Sequence, residues 1–279
     1  MLIRCWGARG SIPVSGRDYE TYGGDTTCME IRTRNDKLIV IDAGSGIRRL
    51  GNRLIRDKRQ ALHMVFTHTH WDHILGFPFF KPVYSRETSV RIVGCSYTQE
   101  TIRGLLSRTM ESPYFPFNFA DLRADLSYQE ICDDPFPIHS ITVTPIPLSH
   151  PNGGRGYKFQ EDGQSFVFLT DNELGYKHPG GLDFQGYVDR CRRADLLIHD
   201  AEFTPAEYPA TRSWGHSNVQ DALQLAIEAE VKRFGIFHHN QERVDAKVDQ
   251  IVGDCRRIIQ DRGVAMECFA LTQETEIQL

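Results

Sequence analysis

The chain has 279 residues, 40% hydrophobic and 25% charged, the balance of an ordinary globular protein long enough to bury a sizeable core. A formal net charge of −5 excludes the strongly basic character of a general nucleic-acid binder. No apolar run approaches a membrane span and the first residues lack a secretory h-region, so no membrane contact and a cytoplasmic location are expected.

Residues 2–6 read as a first strand, followed by glycine-punctuated loops at 7–13 and 21–27. Strands are predicted over 28–33 and 38–41, and Asp42-Ala43-Gly44-Ser45-Gly46 turns the chain into a helix over 47–56. The apolar run 62–66 reads as a buried strand, 90–94 as another, and 98–110 has helical periodicity. A strand over 141–146 ends near His150, and a hairpin turns at 161–163. Beyond it helices over 182–193, 218–230 and 244–262 alternate with strands over 195–198, 233–237 and 264–269. Ser217 or Asn218 caps the middle helix. Strands dominate early and alternate with helices late, with polar clusters at strand ends in both halves. This predicts an α+β fold, a four-layer αββα sandwich, in a single domain spanning 1–279.

Seven cysteines, none in a Cys-x-x-Cys pair, predict reduced and largely buried thiols rather than a disulfide framework or a cysteine zinc site. An aromatic-rich insertion near 98–130 stands apart, with Tyr114, Phe115, Phe117 and Phe119 close together. Packing or a homodimer contact is the first reading of these rings, and a wall that stacks on a planar base is the second.

The densest chemistry is Thr67-His68-Thr69-His70-Trp71-Asp72-His73. Neutral imidazole nitrogen and carboxylate oxygen are the usual ligands of zinc and similar divalent ions. At a strand end His68 and His70 are two apart and point to one side, while Asp72 and His73 reach a second point from the following turn. That is a geometry for two adjacent ions.

His-x-His-x-Asp-His at a strand end resembles the motif of the metallo-β-lactamase fold superfamily. Further along come His150, Asp171 and His238, the order found in that superfamily. The resemblance implies that His68, His70 and His150 bind one ion, that Asp72, His73 and His238 bind the other, and that Asp171 bridges them. His238 directly continues an apolar strand and is favoured over His239. Zinc is the first expectation for the two divalent ions, with manganese or iron accepted by the same donor set. Asp42-Ala43-Gly44-Ser45-Gly46 resembles the Asp-x-Gly turn of that fold and is read as structural support beneath the cluster.

Leu197-Ile198-His199-Asp200-Ala201-Glu202-Phe203 and Gly215-His216-Ser217 look like the phosphodiesterase branch, which includes ribonuclease Z, and the run Arg9-Gly10-Ser11-Ile12-Pro13, Tyr22-Gly23-Gly24, His70-Trp71-Asp72-His73 and Phe115-Pro116 looks like bacterial stand-alone metal-dependent hydrolases within it. The resemblance implies that His216 contacts the phosphate and protonates the leaving oxygen, with Asp200 orienting it; Asp72 joins them as a catalytic candidate. The chain lacks the long glycine-rich basic arm with which ribonuclease Z grips tRNA. The expected substrate is therefore a small phosphodiester, such as a cyclic nucleotide or short dinucleotide, and no large nucleic acid is expected as a partner. Another hydrolase of the same fold, acting on an ester, lactone or lactam, and an iron-dependent oxidoreductase remain as alternatives.

Overall fold

Strand alternation sets up the inner core. In β1 (Leu2–Gly7) Ile3 and Cys5 are buried while their neighbours are half-buried, and Ile31 and Ile39 are buried beside them from β2 (Cys28–Arg32) and β3 (Leu38–Ile41). The sheet continues through β4 (Ala61–Val65), β5 (Ser89–Gly94) and β6 (Asp125–Glu130), all parallel to β3. The computed structural model describes residues 1–95 and 101–279. The helical expectation over 98–110 and the insertion near 98–130 therefore begin outside the described residues, and the helix observed is α3 (Ile102–Arg108).

The second sheet runs from β7 (Phe136–Ile138) through β8 (Ile141–Pro147), β9 (Arg155–Glu161) and β10 (Gln164–Leu169). It is completed by β11 (Leu196–Asp200), β12 (Arg233–Phe237) and β13 (Glu267–Ala270), parallel to β10. Phe159, Phe166 and Phe168 meet Ile3, Ile31 and Ile41 between the sheets. One outer face is covered by α1 (Ile47–Arg56) and α3, the other by α4 (Phe184–Cys191), α6 (Val219–Glu228) and α7 (Asp245–Asp261), with a one-turn helix, α5 (Tyr208–Thr211), before α6. The architecture is the αββα sandwich. Among the described residues no helix is long and apolar enough to cross a membrane.

Three short strands escaped the sequence pattern. β6 is an edge strand whose Leu126 and Tyr128 are only half-buried, and β7 carries Pro137 on the opposite edge. A last strand, β14 (Glu276–Gln278), pairs with β1 and closes the termini together, Leu2 opposite Gln278.

The cysteine expectation fails at one pair. Cys95 and Cys132 form a disulfide, with Cα atoms 4.8 Å apart. Each follows one of two adjacent parallel strands, Gly94 standing opposite Glu130, so tertiary pairing joins residues that local spacing does not connect. Cys5, Cys28, Cys191, Cys255 and Cys268 are buried free thiols. The aromatic segment divides: Phe119 stacks on Phe77 and Phe115 meets Phe79 edge-on, whereas Tyr114 is 87% and Phe117 56% exposed.

Candidate metal centre

The C-terminal ends of the parallel strands of both sheets face one place, the usual location of sites in such sheets. Asp42 follows β3, Asp171 follows β10, Asp200 ends β11 and His238 follows β12. Asp42, Asp171 and His238 have φ of 60°, 51° and 57°, a left-handed turn at the first residue beyond β3 and β12 and at the second beyond β10. Such backbone costs on the order of 1–3 kcal/mol per residue and persists where the surroundings hold it. β4 stops at Val65, so His68 and His70 lie on the loop beyond it, and α2 (Trp71–Ile74) carries Asp72 and His73.

The loop geometry brings the predicted residues together. His68, His70, His150 and Asp171 form one group, and Asp72, His73, Asp171 and His238 another; within each group the ligand-type atoms lie within 4.8 Å of one another. Asp171 belongs to both. Its Oδ2 lies 3.5 Å from His68 Nε2 and 3.9 Å from His150 Nε2, and its Oδ1 3.2 Å from His73 Nε2 and 3.3 Å from His238 Nε2. Asp72 Oδ2 is 3.1 Å from His238 Nε2. His239 turns away, donating from Nε2 to the Leu271 carbonyl at 2.8 Å.

The donor set fits divalent cations. The buried Nε2 atoms of His68 and His73 have no hydrogen-bond partner among the described residues. His150 gives its Nδ1 proton to the Gly215 carbonyl at 2.9 Å, which leaves Nε2 as a lone pair 3.0 Å from His70 Nδ1. Outer partners fix His73 and His238, as metal-binding histidines require. His73 Nδ1 is 2.8 Å from Asp42 Oδ2, and His238 Nδ1 is 3.1 Å from Glu202 Oε2. Asp42 is itself held by the Thr67 N–H and hydroxyl at 2.8 and 2.6 Å.

Electrostatics divides the cluster. Burial favours neutral carboxyls, yet His73 and His238 hold Asp72 and Asp171 well below the usual carboxylate range. Burial pushes His68 well down and His150 to about 3, keeping both in the neutral form that coordinates.

A third group, Asp200, His216 and His238, adjoins these. His216 Nδ1 is 2.8 Å from Asp200 Oδ2 and 3.4 Å from Glu202 Oε2, and its ring stacks on His238 with centroids 4.7 Å apart. Burial lowers the affinity of His216 for a proton, but Glu202 and Asp200 outweigh it and raise the imidazole to about 9. The cap of α6 is Asn218, which accepts from the N–H groups of Gln220 and Asp221, so His216 is not spent on capping.

Two carboxylates were missed as supports. Glu202 joins His216 to His238, and its place two residues after Asp200 was the available signal. Glu173 accepts from the N–H groups of Ser213 and Gly215 and from the Tyr208 hydroxyl, anchoring the loop that delivers His216; nothing in its local sequence announced this.

The profile of the beta-lactamase superfamily domain matches residues 37–239. The chain belongs to this superfamily. It is 24% identical over 240 residues to ribonuclease Z of Sulfurisphaera tokodaii, covering 71% of this chain and 76% of that protein. Among solved structures, a diphosphatase of the PhnP family superposes with a TM-score of 0.70 at 17% identity, covering 100% of this chain and 97% of the other. The short form of human tRNase Z superposes at 0.68 with 19% identity, covering 100% and 99%. The protein is a metal-dependent hydrolase of the beta-lactamase superfamily.

These relatives correct one expectation. Ribonuclease Z and tRNase Z are named for RNA and tRNA, which overturns the reading that no large nucleic acid is a partner. That reading relied on total charge and the lack of a basic arm; average charge does not report the local field at a cation cluster.

Proposed function

We propose that residues 1–279 act as one phosphodiesterase domain, with His68, His70 and His150 holding one divalent ion, Asp72, His73 and His238 a second, and Asp171 both. Zinc suits these donors best; manganese and iron are accepted by the same set. Bound ions supply Lewis acidity, polarising the phosphoryl group and making water a nucleophile near neutral pH.

The observation that carries the reading is the Asp200–His216 pair beside the cluster, 2.8 Å apart. Asp200 takes the Nδ1 side of the ring, so Nε2 is left for substrate. A protonated His216 can first bind a non-bridging phosphate oxygen and then give its proton to the leaving alkoxide. Asp200 fixes the tautomer and stabilises the imidazolium, and Glu202 adds a second negative charge on the same side. An alkyl ester or lactone also expels an alkoxide, so the choice of a phosphodiester rests on the resemblance of residues 197–203 and 215–217 to the phosphodiesterase branch, with the pair supplying the proton that an alkoxide leaving group needs.

Two exposed tryptophans favour a base-bearing diester. Trp71 is 69% exposed on the short helix that carries Asp72 and His73. Trp214 is 62% exposed two residues before His216, edge-on to Phe203, whose ring in turn meets His216. Such rings stack on nucleobases without regard to sequence. A cyclic nucleotide or short dinucleotide is the proposed small substrate, and RNA stands beside it because of the ribonuclease Z relatives.

The test is turnover of cyclic nucleotides, dinucleoside monophosphates and tRNA bearing a 3′ extension by metal-replete protein, with a lactone and a β-lactam as controls. Cleavage confined to phosphodiesters is expected. Cleavage of the lactone or lactam with every diester intact would overturn the reading.

A further inference from the structure

The strands that deliver the metal cluster at one end open into a cavity at the other. β3, β4 and β5 run parallel, and a cavity of about 490 Å³ lies where they begin. Five residues of β4 at ~3.3 Å each put this place ~17 Å from the loop of His68 and His70. Its polar lining includes Lys37, Lys58, Arg59, Arg91, His63 and His139. The single lining carboxylate is Asp36, already engaged by Arg32 and Arg59. Lys37, Lys58 and Arg91 make no ion pair among the described residues. In a chain of net charge −5, this is a concentrated cationic recess.

The imidazoles point to an anion too. His63 Nδ1 is buried without a hydrogen-bond partner among the described residues, and its ring meets His139 edge-on with centroids 4.8 Å apart. No carboxylate lifts either ring: burial, His139 and Arg91 push His63 down to about 4, and burial, Lys37 and Arg91 lower His139. Cations repel cations across the recess with no internal counter-charge to offset them, apart from Asp36. A single negative charge would leave most of them unmatched; a multiply charged one matches several at once.

We propose that this cavity binds a multiply charged phosphate group, at a site separate from the metal cluster, with Arg91 and Lys37 as its principal cations and His63 as a hydrogen-bonding wall. Inorganic pyrophosphate and the phosphate tail of a nucleoside diphosphate share this chemistry. Arg91 offers planar paired donors to phosphate oxygens, and Lys37 and Lys58 add point charges at the mouth.

The experiment is NMR titration of the His63 and His139 rings in the full-length, metal-loaded protein, with pyrophosphate in one arm and ADP in the other. Saturable shifts of both rings are expected. Equal affinity in the two arms assigns the site to the phosphate groups alone, and tighter binding of ADP adds contacts to the nucleoside. Arg91→Ala and Lys37→Ala, both at exposed positions, should each weaken binding about tenfold or more and leave phosphodiester turnover intact. Asp171→Ala should leave the shifts in place. Rings that do not move in either arm, affinities unchanged in both cation variants, or shifts lost with Asp171→Ala would each overturn the proposal. None of these overturning results depends on the protein being a phosphodiesterase.

Discussion

Gly10 and His238 touch so closely that a Cβ on the glycine would lie 2.3 Å from the imidazole Nδ1. The neighbouring Ser11 N–H donates to Asp72 Oδ2 at 2.9 Å, so this first loop braces one half of the cluster. Gly10→Ala must displace the His238 ring. The expected outcome is a loss of affinity for one of two ions by ~10–100-fold, with the fold retained at a cost of ~1–3 kcal/mol. Metal titration followed by elemental analysis checks it; two ions bound as tightly as in the parent would refute the bracing role.

Removing the proposed acid should separate chemistry from metal binding. His216→Ala is expected to slow an unactivated dialkyl diester by ~10²–10⁴-fold. Bis(p-nitrophenyl) phosphate, whose leaving group needs no proton, should suffer far less, and metal content should stay at the parent level. Equal losses on both substrates would assign His216 to positioning or metal retention instead.

The metal-free protein offers a pH test of the same residue. Glu202 and Asp200 raise His216 to about 9 against burial. The folded chain therefore holds a proton that the unfolded chain, with a histidine near ~6.5, releases. The resulting stabilisation is complete below ~6.5 and is lost as pH rises through about 9. NMR titration of the His216 ring should show the high midpoint, and Glu202→Gln should lower it. A midpoint near 6.5 in the parent would contradict the charge arrangement.

Much of this cluster was legible because its residues are chemically unusual where they stand. Four metal-type side chains within His68–His73 have few other uses, and His150, Asp171 and His238 each follow an apolar strand. The strands with one or two buried faces were legible for a related reason, since alternation or apolar runs record burial. β6 left only a weak record because Leu126 and Tyr128 are half-buried at an edge, and Glu173 none because most of its partners come from residues 208–215, far along the chain. The Cys95–Cys132 bridge failed for the same cause: it depends on which strands become neighbours. The exclusion of a large nucleic acid as partner failed because charge summed over the chain says little about a field made locally.

The exposed tryptophans make a separable prediction about substrate. Trp71→Ala and Trp214→Ala should raise KM for a dinucleoside monophosphate by roughly tenfold, as loss of one stacked base at ~1–3 kcal/mol implies. Methyl p-nitrophenyl phosphate, with no base to stack, should keep its kcat/KM. Unchanged KM for the dinucleotide in both variants would remove the tryptophans from recognition.

The central claim is a two-ion site bridged by Asp171, and it is met most directly by measuring bound metal and bis(p-nitrophenyl) phosphate turnover on the same samples of parent and Asp171→Ala. The account predicts two ions per chain and turnover in the parent, with at least one ion and nearly all turnover lost in the folded variant. Two ions retained and turnover undiminished in Asp171→Ala would contradict it.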